Sequence, residues 1–141
     1  MDADDNRLEA ALHNRGQRVT PQRIAIARAL RRLDRHASAE DVASAVSREM
    51  PGVSVPTVYA TLELLTDLGL ARRLTAAPGA VLYDPHTDDH HHAVCTKCGR
   101  IEDVRVTVDA EAALRSARGR GFKPDRVELI VSGLCRDCRA A

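Results

Sequence analysis

Aromatic side chains are almost missing from this chain: there is no Trp, one Phe and two Tyr among 141 residues. A core without rings must be built from Leu, Val, Ile and Ala, and a small aliphatic core commonly needs a metal, covalent or oligomeric staple. No apolar run approaches the roughly 20 residues that a membrane-spanning helix requires. The first residues, Met1-Asp2-Ala3-Asp4-Asp5, are acidic and polar and lack the basic and apolar segments of a secretory signal. A cytoplasmic protein is the expectation. An overall excess of one charge is also lacking. The net charge is +1, so binding to a polyanion would have to rest on local charge. Such charge is present: from Arg15 to Arg35 seven Arg stand against the single acid Asp34. This run reads either as a solvated helical face or as a phosphate-binding surface.

Cysteine is absent from one half only. Residues 1–80 hold no Cys and two His, whereas residues 81–141 hold all four Cys and the other four His. A boundary near Ala76-Ala77-Pro78-Gly79 is therefore expected, giving segments 1–80 and 81–141. The first segment reads as helices. Leu8 and Leu12 suit an amphipathic helix ending near Gly16. Thr20-Pro21 is a helix start, with Thr as N-cap and Pro in the first turn, and Ile24, Ile26, Ala27 and Leu30 form its apolar side. Ser38 caps a third helix with Val42, Ala45, Val46 and Met50 inward, broken by Pro51-Gly52. Ser54 caps a fourth, with Val58, Leu62 and Leu65 on one face. Short strands follow at Ala71 to Leu74 and Ala80 to Tyr83. Helices followed by a small hairpin make the pattern of a winged helix-turn-helix. The second segment reads as mixed, with strands at His91 to Cys95, Arg100 to Val106 and Val127 to Ser132, and a helix at Asp109 to Arg118. The fold class is α+β.

Cys95-Thr96-Lys97-Cys98 and Cys135-Arg136-Asp137-Cys138 form two CxxC pairs with 36 residues between them. Each turn places two sulfurs on one side of an ion, and two such turns complete a closed tetrahedral zinc site without an open position. Gly99 and Gly133 beside the pairs suit tight knuckles. The competing readings are two disulfides or four unrelated thiols. A reducing compartment favours structural zinc, whose binding free energy becomes folding free energy.

Upstream lies Tyr83-Asp84-Pro85-His86-Thr87-Asp88-Asp89-His90-His91-His92. In an extended strand alternate side chains share a face, so His90 and His92 form an imidazole pair and His91 points away or supports them. Asp84 and Asp103 are placed to add oxygen. A mixed nitrogen and oxygen set suits Fe(II) or Mn(II). The bland alternative is a solvated His-rich loop, the role expected of His86.

Together, Arg18-Val19-Thr20-Pro21-Gln22-Arg23, Ser54-Val55-Pro56-Thr57-Val58-Tyr59, Asp89-His90-His91-His92-Ala93-Val94-Cys95 and the two CxxC pairs resemble the ferric uptake regulator family of bacterial repressors, over nearly the whole chain. The resemblance implies a homodimer whose first segments bind a palindromic double-stranded operator and whose second segments dimerise. The helix from Val55 to Leu65 would read the major groove. Arg18, Gln22, Arg23, Ser54, Thr57, Tyr59 and Thr61 would contact DNA, with Tyr59 at the matching contact position. The peroxide-sensing branch is described as using three His and two Asp at its regulatory site, and His36, Asp84, His90, His92 and Asp103 match them, with His36 and His90 matching the residues oxidised by peroxide. Iron-sensing relatives usually carry Glu where Asp84 and Asp103 stand, and a further His in the segment matched by Arg126-Val127. At position 60, where many relatives have Arg or Asn, this chain has Ala. Three other readings remain: a ferric or zinc uptake repressor, a small metallohydrolase using the HxH pair, and a zinc-ribbon module without sensing.

Overall fold

The structure is a computed structural model that describes residues 2–76, 80–87 and 90–140. The expected Pro78-Gly79 turn and Asp89 of the His-rich motif lie outside the described residues. The chain packs as two units, Met1–Thr87 and Asp88–Ala141. The break falls after the expected position because the strand beginning at Ala80 pairs with the first unit.

In the first unit, α1 (Ala3–Asn14), α2 (Pro21–Leu33), α3 (Ala39–Ser47) and α4 (Val55–Asp67) precede the hairpin β1 (Arg72–Ala76) and β2 (Ala80–Asp84). Each helix begins on a side-chain cap: Asp2, Thr20, Ser38 and Ser54 each accept the backbone N–H three residues on. These caps satisfy amide donors that would otherwise be unpaired. At α3 the cap is reciprocal, since Asp41 also accepts from the Ser38 amide at 3.0 Å. Gly16, at φ +65°, turns the chain after α1 in a backbone region that L side chains avoid.

The core is aliphatic, as the composition demands. Leu8, Leu12, Ile26, Leu30, Val42, Val46, Val58 and Leu62 are buried, with Tyr83 as the one buried ring. Each large side chain of this kind contributes about 1.5–3 kcal/mol relative to exposure. Most of the basic run is consumed inside this unit. Arg28 and Arg31 converge on the fully buried Asp5, with Arg28 Nε at 2.9 Å and Arg31 Nη2 at 2.7 Å. Arg32 pairs with Glu49, and Arg35 with Asp41 at 3.5 Å. The run is therefore largely a scaffold for α2, and only its leading residues Arg15, Arg18 and Arg23 remain outside these ion pairs.

The second unit is a three-stranded sheet of order β4-β3-β5, with β3 (His91–Cys95), β4 (Ile101–Val104) and β5 (Ile130–Gly133). β3 runs antiparallel to β4 and parallel to β5. The crossover carries α5 (Glu111–Gly119), and α6 (Arg136–Ala140) follows β5. α6 is absent from the sequence expectation, being five residues around a CxxC pair. β4 ends at Val104 rather than Val106, and β5 starts at Ile130 rather than Val127, because pairing with β3 stops there. The expected apolar stripe of α5 buries no residue in the single chain. No helix among the described residues is long and apolar enough to cross a membrane.

The Asp5 carboxyl is held below the usual carboxylate range by the Arg28 hydrogen bonds, opposed by burial and reinforced by Arg31. A lowered folded-state pKa means that its stabilisation is present above the ordinary carboxylate pKa and is lost as pH falls through the depressed value. Asp5→Asn is expected to cost about 1–2 kcal/mol near neutral pH, the low end for charged hydrogen bonds because both guanidiniums reach water. Urea denaturation as a function of pH checks this: the gap between wild type and variant closes on acidification below the carboxylate range.

Candidate metal centres and the DNA-facing groove

The four sulfurs of Cys95, Cys98, Cys135 and Cys138 lie within 4.8 Å of one another. Backbone pairing assembles them. The end of β3 is registered to the end of β5 through Cys95 and Gly133, and the Thr96 N–H donates to the Gly133 carbonyl at 2.8 Å. The first knuckle closes with the Gly99 N–H on the Cys95 carbonyl at 3.0 Å, and Gly99 takes φ +78°. Gly133, expected to relax the second knuckle, is instead an ordinary strand residue whose carbonyl locks the two knuckles together.

Cys98 Sγ and Cys135 Sγ are 3.7 Å apart. That separation is far beyond the roughly 2.05 Å of a disulfide. It matches the edge of a tetrahedron with metal–sulfur bonds of about 2.3 Å, which is about 3.8 Å. The Cys95 thiol is lowered to about 6, first by the Cys98 amide, and Cys138 is raised to about 12 by holding a hydrogen bond with Cys135. The site fits structural zinc.

The expected His and Asp ligands form two half-sets, one in each unit. In the first unit, Ala37 and Tyr83 exchange both backbone hydrogen bonds, at 2.9 and 2.7 Å. The next residues outward, His36 and Asp84, then stand opposite one another as a non-hydrogen-bonded pair, the position where antiparallel side chains approach most closely. His36 Nε2 lies 3.1 Å from Asp84 Oδ2. The other carboxylate oxygen accepts the His86 N–H at 2.9 Å. His86 sits in a loop, as expected, and its ring pairs with Asp34 at 2.7 Å; its amide fixes the Asp84 carboxylate, a role invisible in residue type.

In the second unit His90 and His92 are buried, with ring centroids 4.7 Å apart. Asp103, registered opposite His92 across β3 and β4, brings Oδ1 to 3.6 Å from His90 Nε2 and 3.8 Å from His92 Nε2. His91 faces the other way, its Nδ1 accepting the Leu129 N–H at 2.9 Å. Glu128 was not anticipated. Its Oε1 lies 3.0 Å from His92 Nδ1, which places a carboxylate beside the ring on the side away from Asp103. Its one sequence signal is a charge within the apolar run Val127 to Ile130. Imidazole and carboxylate donors in these half-sets fit Fe(II) or Mn(II).

Five of the seven residues expected to contact DNA line an open groove between the start of α2 and α4. Arg18, Gln22, Arg23 and Thr57 border it. Arg23 Nη1 donates to the Arg18 carbonyl at 2.5 Å. Tyr59 is 44% exposed. Ser54 spends its hydroxyl on the α4 cap and on Thr57 Oγ1 at 2.9 Å. Thr61 also lines the groove but is buried at its floor.

A profile of the ferric uptake regulator family matches residues 14–132. The peroxide operon regulator of Bacillus subtilis is 35% identical over 127 residues, covering 90% of this chain and 88% of that protein. In solved structures, PerR of Streptococcus pyogenes superposes with a TM-score of 0.54 at 31% identity, covering 98% of this chain and 94% of the other. The Fur protein of Helicobacter pylori, at 19% identity, shares the fold with a TM-score of 0.78, covering 95% and 90%.

Structural zinc in small sites supplies about 10–16 kcal/mol of apparent binding free energy, as much as the whole stability of an ordinary domain. Cys98→Ser, or chelation under reducing conditions, is therefore expected to unfold Asp88–Ala141. Peptide-resolved hydrogen exchange checks it. Protection should vanish from β3 and β5 and persist in α2 and α4; protection that survives zinc loss in β3 would refute a structural role.

Proposed function

The chain belongs to the ferric uptake regulator family, whose members are transcriptional regulators and not enzymes, and from that premise we propose that it is a homodimeric, cytoplasmic repressor whose grip on DNA depends on Fe(II) or Mn(II) and is released by peroxide. The observation that carries this reading is the pair of preformed half-sets, His36 with Asp84 and His90 with His92 and Asp103. One ion shared by both would make metal occupancy a constraint on the posture of the DNA-reading unit. Loss of the ion would remove that constraint.

In this reading α4 enters the major groove, with Tyr59 and Thr57 toward base edges and Arg18, Gln22 and Arg23 toward phosphates. The β1–β2 hairpin is the wing. Two-fold symmetry of a dimer suits a palindromic operator. Support for the dimer comes from apolar side chains that the single chain leaves uncovered in the second unit, among them Phe122 at 69% exposure, with Val106, Ile130, Val131 and Leu134. Iron held by His36, Asp84, His90, His92 and Asp103 would supply the electron for one-electron reduction of hydrogen peroxide. In this reading the rings of His36 and His90, which match the residues oxidised in the peroxide-sensing branch, would take up oxygen, and an oxidised ring would be a poorer donor. Asp at positions 84 and 103 favours peroxide sensing over iron-level sensing, as does the likeness to peroxide regulators.

The test uses the duplex that Mn(II)-loaded protein selects from a random library. His36→Ala is expected to abolish metal-dependent binding to that duplex while the zinc content stays at one ion per chain. In wild type loaded with iron, peroxide is expected to add oxygen to peptides holding His36 or His90, seen by mass spectrometry, and manganese-loaded protein should be spared. Retained metal dependence in His36→Ala would sink the shared ion. Metal dependence without any peroxide oxidation would turn the reading to a reporter of metal level.

A further inference from the structure

Tyr83 has its main chain in one place and its hydroxyl in another. Its N–H and C=O hold Ala37, so the residue is the rung beneath the His36–Asp84 pair. Its ring crosses the core, fully buried, and its hydroxyl donates to Glu63 Oε1 on α4 at 2.6 Å. Glu63 is held from the other side by Arg73 Nη1 at 3.0 Å, on β1. The Tyr83 ring also meets Tyr59 edge to face, with centroids 6.2 Å apart and planes at 87°. Tyr59 is a ring that α4 leaves partly exposed. All of these residues belong to the first unit, so the connection needs no contact from the second.

We propose that Tyr83 is a positioning residue that transmits metal occupancy at His36 and Asp84 to the DNA-reading helix through its hydrogen bond to Glu63 and its contact with Tyr59. The inference rests on the metal-dependent reading above. Drawing His36 and Asp84 onto an ion shifts the Ala37–Tyr83 rung that lies between them and the core. A buried aromatic ring cannot absorb such a shift by rotating freely, because close packing leaves it no room. The displacement passes to the two groups that the ring grips on α4. One of these, Glu63, lies in the second half of the helix; the other, Tyr59, is one turn earlier and is a DNA contact in the reading above. The link is a charged hydrogen bond, and such a bond is directional and short-range. Removing only the hydroxyl leaves the packing intact and cuts the hydrogen-bonded link to α4. A mere core tyrosine would behave differently: its hydroxyl would affect stability but not the dependence of DNA affinity on metal.

The experiment measures Mn(II) affinity, and affinity for the selected duplex with and without Mn(II), in wild type, Tyr83→Phe, Glu63→Gln and the double variant. In wild type the ratio of the two DNA affinities is the coupling factor, and linkage requires the same factor in Mn(II) affinity with and without DNA. In Tyr83→Phe the coupling factor is expected to fall about tenfold, the scale of one hydrogen bond to a charged acceptor, with Mn(II) affinity in the absence of DNA within about twofold of wild type. Glu63→Gln should show the same fall, and the double variant no more than either single, as residues in one chain of contacts do. An unchanged factor in Tyr83→Phe overturns the proposal, as do losses that add in the double variant. If wild type itself shows no metal dependence, the functional reading fails first and takes the relay with it; a responsive wild type with an equally responsive Tyr83→Phe removes the relay alone.

Discussion

Two backbone hydrogen bonds between Ala37 and Tyr83 tie the loop after α2 to the second strand of the hairpin. Much of the first unit's usefulness follows from that rung. The left-handed backbone of Asp34 ends α2 and turns the chain, and the capping box at Ser38 starts α3 immediately afterwards. Only the residues between them are available to reach β2. Ala37 has no side chain beyond Cβ to obstruct the approach, and its neighbour His36 is left facing Asp84. The same rung sets the depth of the Tyr83 ring, the one aromatic residue in an otherwise aliphatic core. A candidate metal half-site and the interior of the first unit are therefore built on a single pair of hydrogen bonds.

The two units solve the problem of a small core differently. The first has four capped helices and a continuous aliphatic interior, with the Asp5 cluster closing its edge. In the second, the buried apolar residues among those described are Val94 and Cys95. So little apolar burial cannot offset the conformational entropy of ordering some fifty residues, at roughly 1–2 kcal/mol each for the backbone. The four thiolates and an ion between them compensate within the chain. Apolar strand and loop residues such as Ile130 and Phe122, left in water, are suited to burial against a second copy.

Charge along the sequence has a similar double reading. Seven arginines in one segment look like a surface for phosphates, yet four of them neutralise Asp5, Glu49 and Asp41 within the fold. What remains is Arg15 with Arg18 and Arg23 at the start of α2, and the last two border the groove that Thr57 of α4 lines. Local electrostatics thus survive in a chain of nearly neutral net charge, concentrated where the geometry can use them.

Helix starts, the two CxxC pairs and the His90–His92 alternation were legible in the sequence because each depends on contacts within a few residues: a cap and its amide, two sulfurs on one turn, two imidazoles on one face of a strand. The aliphatic character of the core followed from composition. Other features waited on tertiary structure because their partners are distant in the chain. Asp5 is an acid in a polar leader until α2 folds against it, 23 residues on. Thr61 reads as an exposed groove residue until packing shows that it is buried at the groove floor. Glu128 is one charge among many until β5 lies beside β3 and aims it at His92. Tyr83 is a strand aromatic until packing shows that its hydroxyl ends on Glu63. Short-range hydrogen bonding and side-chain periodicity are written in residue order, whereas which buried polar group finds which partner is settled only when segments far apart in sequence are brought within 3 Å, and that is a property of the folded chain.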